Sequence, residues 1–223
     1  MSPINSRSSK LLLVLLCLWN ASALRAESRR DFLLGVVNQC VQTNASNYCS
    51  ACKLPRSDSM CDGHNACTKS LEIWRQTEEF VAFRDIKMCS CPSDFIHGLV
   101  LPIKPITGVE DPNRPDDIWV LAWEVGILKI DPDQLALIVN PKNHRSQDQL
   151  HVHLVRLKSD ARSALYGSTV TNLDSVWQTA QRMADEKRLK DYGVLVTVNP
   201  QGGYLVVIDE DSPEYKYSLA TCR

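Results

Sequence analysis

The sequence lacks an excess of charge of either sign. Its 223 residues carry 25 basic and 26 acidic side chains, a formal net charge of −1. A balance this close gives a polyanion nothing to grip, which argues against a nucleic-acid binder. With 23% charged and 44% hydrophobic residues it does not read as a disordered tail either. Internal repeats and low-complexity tracts are missing too, as is any acidic pair that would demand a metal. The length suits one ordinary domain plus a little, enough to bury a core without relying on crosslinks.

Cysteine is not scarce: there are nine, at positions 17, 40, 49, 52, 61, 67, 89, 91 and 222. The first lies in an N-terminal pattern of its own. Arg7 and Lys10 precede the apolar run Leu11–Trp19, followed by Asn20-Ala-Ser-Ala23 and Leu24-Arg-Ala26. A positive start, a short apolar stretch and A-x-A-like small residues form a secretory signal peptide, cleaved after Ala23 or Ala26. The run falls short of the roughly 20 residues that span a bilayer; an uncleaved anchor is the competing reading, because Leu24 could extend it. Loss of residues 1–26 would remove Arg7, Lys10 and Arg25, leaving 22 basic against 26 acidic residues.

Seven of the remaining cysteines crowd residues 40–91. An even number in an exported chain reads as disulfides, with Cys222 tying the C-terminus back to that region. Zinc competes for Cys49-Ser-Ala-Cys52 and Cys61-Asp-Gly-His64-Asn-Ala-Cys67, although the second half is loosely spaced. A redox pair at Cys49 and Cys52 lacks a helix-opening context before Pro55.

Periodicity places a helix over residues 27–40, capped by Ser28, with Phe32, Leu33, Val36, Val37 and Cys40 on one face. Residues 41–69 read as a crosslinked loop region. Strands follow at 79–85 and 98–103. A helix begins at Pro115 with Ile118, Leu121, Ala122, Val125 and Leu128 inward. Further strands fall at 134–139 and 150–157, and a helix runs from Asp174, as its cap, to about Lys190. The hairpin 194–198/204–208 turns through Asn199-Pro-Gln-Gly-Gly203. Strands paired with their neighbours and helices set among them predict an α+β domain on an antiparallel sheet.

Gln149-Leu-His-Val-His-Leu-Val155 carries the chemistry. Alternation puts Gln149, His151 and His153 on one strand face, read as a polar one, and Leu150, Val152 and Leu154 on the apolar face. The histidines can be solvent-facing and incidental. They can be a metal pair wanting a third ligand, for which His144 and Asp148 are unspecific candidates. Or one is a nucleophile, since neutral imidazole, with an ordinary pKa near 6.5, attacks phosphorus well and splits one displacement into two through a phosphoramidate.

This stretch resembles the signature of the histidine-triad (HIT) superfamily, His-φ-His-φ-His-φ-φ with φ apolar. Phe80-Val-Ala-Phe-Arg-Asp-Ile86 and His97-Gly-Leu-Val-Leu-Pro-Ile-Lys104 resemble the paired strands ahead of it. More narrowly, the chain is similar to the bacterial CDP-diacylglycerol pyrophosphatases. The matching pieces are Gly108-Val-Glu-Asp-Pro112, Trp119-Val-Leu-Ala-Trp123, Asn140, Arg145-Ser-Gln-Asp-Gln-Leu-His-Val-His153, Tyr192-Gly193 and a cysteine at the extreme C-terminus. The likeness covers roughly residues 80–222. One departure is Gln149, where the superfamily has its first histidine; glutamine exchanges hydrogen bonds but cannot shuttle a proton.

The resemblance implies a HIT-like antiparallel sheet with flanking helices and an N-terminal cysteine-rich elaboration. It divides the chain into a signal peptide (1–26), an N-terminal helix with the cysteine-rich region (27–79) and a catalytic domain (80–223). It implies hydrolysis of CDP-diacylglycerol to CMP and phosphatidate through a cytidylyl-histidine on His151, with His153 donating to a non-bridging oxygen. Ser146 and Gln147 would contact phosphate or leaving group, and Asn140 another phosphate oxygen. Lys104 and Arg145 are counter-charges or simply surface residues; Trp119 and Trp123 serve the core or stack the cytosine. No metal or other cofactor is expected. The expected setting is periplasmic, at or anchored to the inner-membrane surface, with a homodimer left open. The competing readings are a HIT nucleotidyl hydrolase or transferase on a soluble nucleotide, and an exported, crosslinked binding module.

Overall fold

The computed structural model describes residues 30–41, 72–88 and 91–222. The signal-peptide reading, the Ser28 cap, His64 and Cys17, Cys49, Cys52, Cys61, Cys67 and Cys89 lie outside the described residues. Eight strands form one antiparallel sheet: β1 (Ile73–Gln76), β2 (Phe80–Arg84), β3 (His97–Pro102), β4 (Leu135–Val139), β5 (Val152–Arg156), β6 (Ser168–Val170), β7 (Gly193–Val198) and β8 (Tyr204–Asp209). Their order across the sheet is β1-β2-β3-β5-β4-β7-β8-β6. The helices are α1 (Phe32–Cys40), α2 (Asp117–Gly126), α3 (Ala161–Ala164), α4 (Val176–Lys187) and α5 (Pro213–Tyr217). The chain is thus α+β, as its pattern predicts.

One sheet face is covered by α2 and α4. Ile118, Trp119, Ala122, Val125, Val176, Trp177, Ala180 and Ala184 pack there on Phe80, Ala82, Val100, Leu137, Val152, Leu154 and Val196. The opposite face carries two separate apolar clusters. Leu33, Val36 and Val37 of α1 cover Val81, Phe83, Leu99 and Leu101. Ala161 and Tyr217 cover Ala136, Ile138, Val155, Leu195 and Val207. Strand register decides what lies between them: His153 sits opposite Leu99 of β3 on one side and Ile138 of β4 on the other. Each neighbour belongs to a different cluster, so His153 occupies the seam.

Local details depart from expectation where tertiary contacts intervene. Leu128 falls beyond α2 and is 75% exposed rather than inward. Asp174 is not the cap; Asn172 Oδ1 accepts from Ser175 N at 3.2 Å, opening a 3₁₀ turn that leads into α4. The β7–β8 hairpin turns on Gly202 and Gly203, whose φ of 107° and 74° favour glycine. Cys91 and Cys222 form a disulfide, tying the C-terminus to the segment behind β2.

The expectations of membrane attachment, of an exported or anchored periplasmic location and of a homodimer are corrected. Among the described residues no helix is long and apolar enough to cross a membrane. The longest, α4, has 12 residues; at ~1.5 Å per residue that is about 18 Å, against a hydrocarbon core of about 30 Å. A second copy finds no support in the structure. None of these expectations is carried forward.

Candidate active site

The approach to β5 buries what the sequence reading placed on a polar face. Gln149, His151 and His153 are 3%, 8% and 4% exposed, while Leu150, Val152 and Leu154 fill the α2/α4 core. Alternation therefore holds, and the imidazoles lie in the seam between the two smaller clusters. Their ring centroids are 4.8 Å apart, edge to face.

Gln149 is fully engaged. Its Nε2 donates to the carbonyls of Pro102 (2.8 Å) and Lys104 (2.9 Å), and its Oε1 accepts from Ile106 N at 3.4 Å. Its own carbonyl stands 2.7 Å from His151 Nδ1. A carbonyl only accepts, so Nδ1 carries the proton and the lone pair belongs to Nε2. Burial holds the His151 pKa below its ordinary value, against the opposing pull of that carbonyl and of Glu214. Around neutral pH this ring is therefore an uncharged imidazole with a directed lone pair.

Asn140 links His153 to Glu214: its Nδ2 stands 3.5 Å from His153 Nε2. Glu214 Oε2 takes a hydrogen bond from Asn140 Nδ2 at 2.7 Å and faces His153 Nε2 at 3.4 Å. The Asn140 amide is oriented from its other end as well, because Ser212 Oγ donates to its Oδ1 at 2.8 Å. Glu214 Oε1 meets Lys87 Nζ at 2.7 Å and His97 Nε2 at 3.0 Å. Nδ1 of His97 stands 3.0 Å from Asp85 Oδ2, an ion-pair approach without the alignment of a good hydrogen bond.

Two carboxylates, one ammonium and two imidazoles thus share a site that is buried apart from the Lys87 side chain. Burial pushes Glu214 up, but His153, His97 and Lys87 outweigh it and hold the carboxyl well below its usual range. Burial likewise opposes charge on His97, yet Asp85 and Glu214 raise its pKa overall. Burial dominates His153, whose pKa falls well below 6.5 despite Glu214. Charges on Asp85, Glu214, Lys87 and His97 therefore cancel in pairs, the condition under which buried ions persist.

Asp85, His97 and His153 bring one donor atom each within 4.8 Å of one another, a grouping that invites a metal. Both nitrogens of His97 already face carboxylates, which favours imidazolium, and imidazolium has no lone pair to give. The trio suits an ion-pair network better. The third ligands weighed for the H-x-H pair lie elsewhere: Asp148 is clamped by Arg30 at 2.7 Å, and His144 is half exposed beside Asp211.

The remaining expected residues form a ring around the loop before β5. The Arg145 guanidinium is taken by both oxygens of Glu110, at 2.7 and 2.5 Å. Gln147 Oε1 accepts from Leu33 N at the start of α1. Asn140, Gln149, His151 and His153 are brought together by these contacts; the side chains of Arg145 and Gln147 are engaged by Glu110 and by α1, and Ser146 and Lys104 are exposed. Trp119 is fully buried in the core and Trp123 packs edge-on against Tyr204, so neither offers a face to a base beside His151.

The family model of CDP-diacylglycerol pyrophosphatase matches residues 28–194, three quarters of the chain. The chain belongs to the CDP-diacylglycerol pyrophosphatase family. A CDP-diacylglycerol pyrophosphatase of Yersinia pestis is 24% identical over 155 residues, covering 51% of this chain and 60% of that protein. Those of Mycobacterium bovis (strain BCG / Pasteur 1173P2) and Mycobacterium tuberculosis (strain ATCC 25177 / H37Ra) are each 36% identical over 67 residues, 25% of this chain and 26% of theirs. The match thus spans less than two thirds of the length of these CDP-diacylglycerol pyrophosphatases.

Sequence reasoning missed Asp85, Lys87, Ser212 and Glu214, and gave His97 no role. Glu214 lies 20 positions beyond the end of the match to the CDP-diacylglycerol pyrophosphatase family. Its one local signal was Ser212-Pro-Glu214, a capping serine followed by proline at the first helical position; Ser212 does cap α5 by accepting from Tyr215 N.

Proposed function

We propose that this chain hydrolyses the pyrophosphate of CDP-diacylglycerol to CMP and phosphatidate, with His151 as nucleophile on a HIT-like sheet. In this reading residues 80–223 are the catalytic unit, with β1 joining its edge, and residues 27–79 its N-terminal elaboration. Family membership supports the reaction class. The observation that carries the mechanism is the 2.7 Å contact between His151 Nδ1 and the Gln149 carbonyl, which leaves Nε2 unprotonated in a buried, neutral ring.

In the first step the Nε2 lone pair attacks the cytidine-bearing phosphorus. A P–N bond forms as the P–O bond to phosphatidate breaks, and phosphatidate leaves with the electron pair. Water then attacks the same phosphorus, the P–N bond breaks, Nε2 recovers its pair, and CMP and a proton are released. Phosphatidate leaves as a stable anion, so the protein's work is placement and charge compensation. Asn140 and His153 flank the nucleophile for that purpose. Gln149 supplies the carbonyl that sets the tautomer, a task that needs no proton shuttle.

The test is CMP release from CDP-diacylglycerol in detergent micelles. Wild type should turn over and accumulate an acid-labile cytidylyl adduct on rapid quench; His151→Ala and His151→Gln should lose both. Normal turnover by a folded His151 variant would overturn the mechanism. A wild type inert on this lipid but active on dinucleotides or adenylated amines would replace the substrate.

A further inference from the structure

We propose that Glu214, delivered by the C-terminal helix α5, is the positioning residue of this site: it holds Asn140, whose amide sets the tautomer of His153 and leaves that ring's Nδ1–H for a bound phosphate. The proposal rests on the functional reading above and extends it to a residue outside the matched family region.

The geometry argues it in three steps. First, a carboxylate offers about four lone-pair sites, and Glu214 takes three hydrogen bonds, from Lys87 and His97 on Oε1 and from Asn140 on Oε2, with His153 Nε2 facing Oε2 at 3.4 Å. It thereby touches both residues flanking the nucleophile and the Lys87/His97 pair behind them. Its side chain is 2% exposed, so it is not a solvated surface acid.

Second, Asn140 Nδ2 also stands 3.5 Å from His153 Nε2; the Oδ1 of that amide accepts from Ser212, so Nδ2 is the donor and Nε2 the acceptor. The proton of the neutral ring is then on Nδ1, which is buried with no partner in the protein. An unpartnered buried N–H beside the nucleophile is left for a ligand.

Third, a neutral His153 with its proton on Nδ1 already presents a donor to a phosphate oxygen, and burial, which holds its pKa below the ordinary value, favours that neutral ring. Glu214 acts on it through the Asn140 amide. Oε2 accepts one Nδ2 proton and Ser212 Oγ donates to Oδ1, so the amide is fixed at both ends and its other Nδ2 proton serves His153.

A single Glu214→Gln change leaves Lys87 facing a neutral amide, so loss of folding is a hazard. The decisive variant is Lys87→Met with Glu214→Gln, which removes both charges together. It should keep a thermal midpoint near wild type while kcat for CMP release falls 10- to 100-fold. Imidazole ¹⁵N spectra of the substrate-free protein give a readout independent of the reaction: wild-type His153 should show the Nδ1–H tautomer and the double variant should lose that preference. A double variant with wild-type kcat and tautomer makes Glu214 merely a partner for Lys87 and overturns the proposal. If wild type is inert on the lipid while the tautomer still depends on Glu214, the positioning stands and the substrate reading falls.

Discussion

His151 Nδ1 lies 2.7 Å from the carbonyl of Gln149, two residues back along the same chain. The nucleophile is thus oriented by main chain, and that main chain is pinned by the side chain of Gln149. Position 149 serves the site through its backbone while its amide holds the loop from Pro102 to Ile106.

Replacement of Gln149 should therefore act first on stability. Gln149→Ala leaves the carbonyls of Pro102 and Lys104 without their donor and should cost about 2–4 kcal/mol in urea denaturation. Gln149→Glu, which puts an acceptor where two donors stood, should cost at least as much. A Gln149→Ala protein as stable as wild type would show that the clamp is unimportant.

The histidines make opposite contributions to stability against pH. His151 and His153 have folded pKa values below the ordinary 6.5. Below about pH 6.5 the unfolded chain binds protons that the folded rings refuse, so their contribution is present above that pH and lost as pH falls. His97 is raised, so its contribution is full below about pH 6.5 and lost as pH rises through its folded value. Asp85 and Glu214 are lowered, and their contributions fade only below their ordinary values near pH 4. The decline between about pH 6.5 and 5 should hence flatten in a His151→Gln, His153→Gln double variant; an undiminished slope in chemical denaturation would refute this assignment.

Gly193 is required by close approach. A Cβ there would stand 2.7 Å from Pro213 Cδ, 2.8 Å from Pro141 Cδ and 2.8 Å from the Val139 carbonyl oxygen. Two of these belong to rigid rings and one to backbone, so none can simply rotate away. Gly193→Ala should lower stability by about 1–3 kcal/mol and, by shifting α5 and Glu214, reduce CMP release more than the stability loss explains. Full activity in this variant would mean that α5 tolerates displacement.

The Cys91–Cys222 bridge closes a loop of 131 residues in sequence separation. It joins the segment behind Lys87 to the segment behind Glu214, the two ends of the 2.7 Å ion pair. Cys222→Ser should cost about 2–5 kcal/mol and lower the melting temperature. Equal melting temperatures for the two proteins under oxidising conditions would contradict this.

Much of the scaffold is legible without coordinates. The alternation Leu150, Val152, Leu154 against Gln149, His151, His153 survives unchanged because a strand's side chains must alternate, whatever they face. The helical faces of α2 and α4 follow equally from period, as do Leu33, Val36 and Val37 of α1, whereas Phe32, expected on the same face, is 41% exposed. Less legible are caps and ends: Asn172 rather than Asp174 satisfies the first free amide of the turn into α4, and Leu128 is stranded once the helix stops at Gly126. The environment of the histidines was misjudged as a polar face because local pattern tells which side chains share a face, not what lies across it.

The sequence by itself determined the elements, the α+β class and the pair His151 and His153, since these depend on spacing along a few residues. Only the tertiary structure decided that the pair is buried, and that Asp85, Lys87, His97 and Glu214 stand behind it. Glu214 lies 127 positions from Lys87 and 117 from His97. Such partners meet because the sheet order sets β3, β5, β4 and β7 side by side, with α5 docked on the same face. A buried carboxylate takes its meaning from the donors around it, and those donors are assigned by the fold.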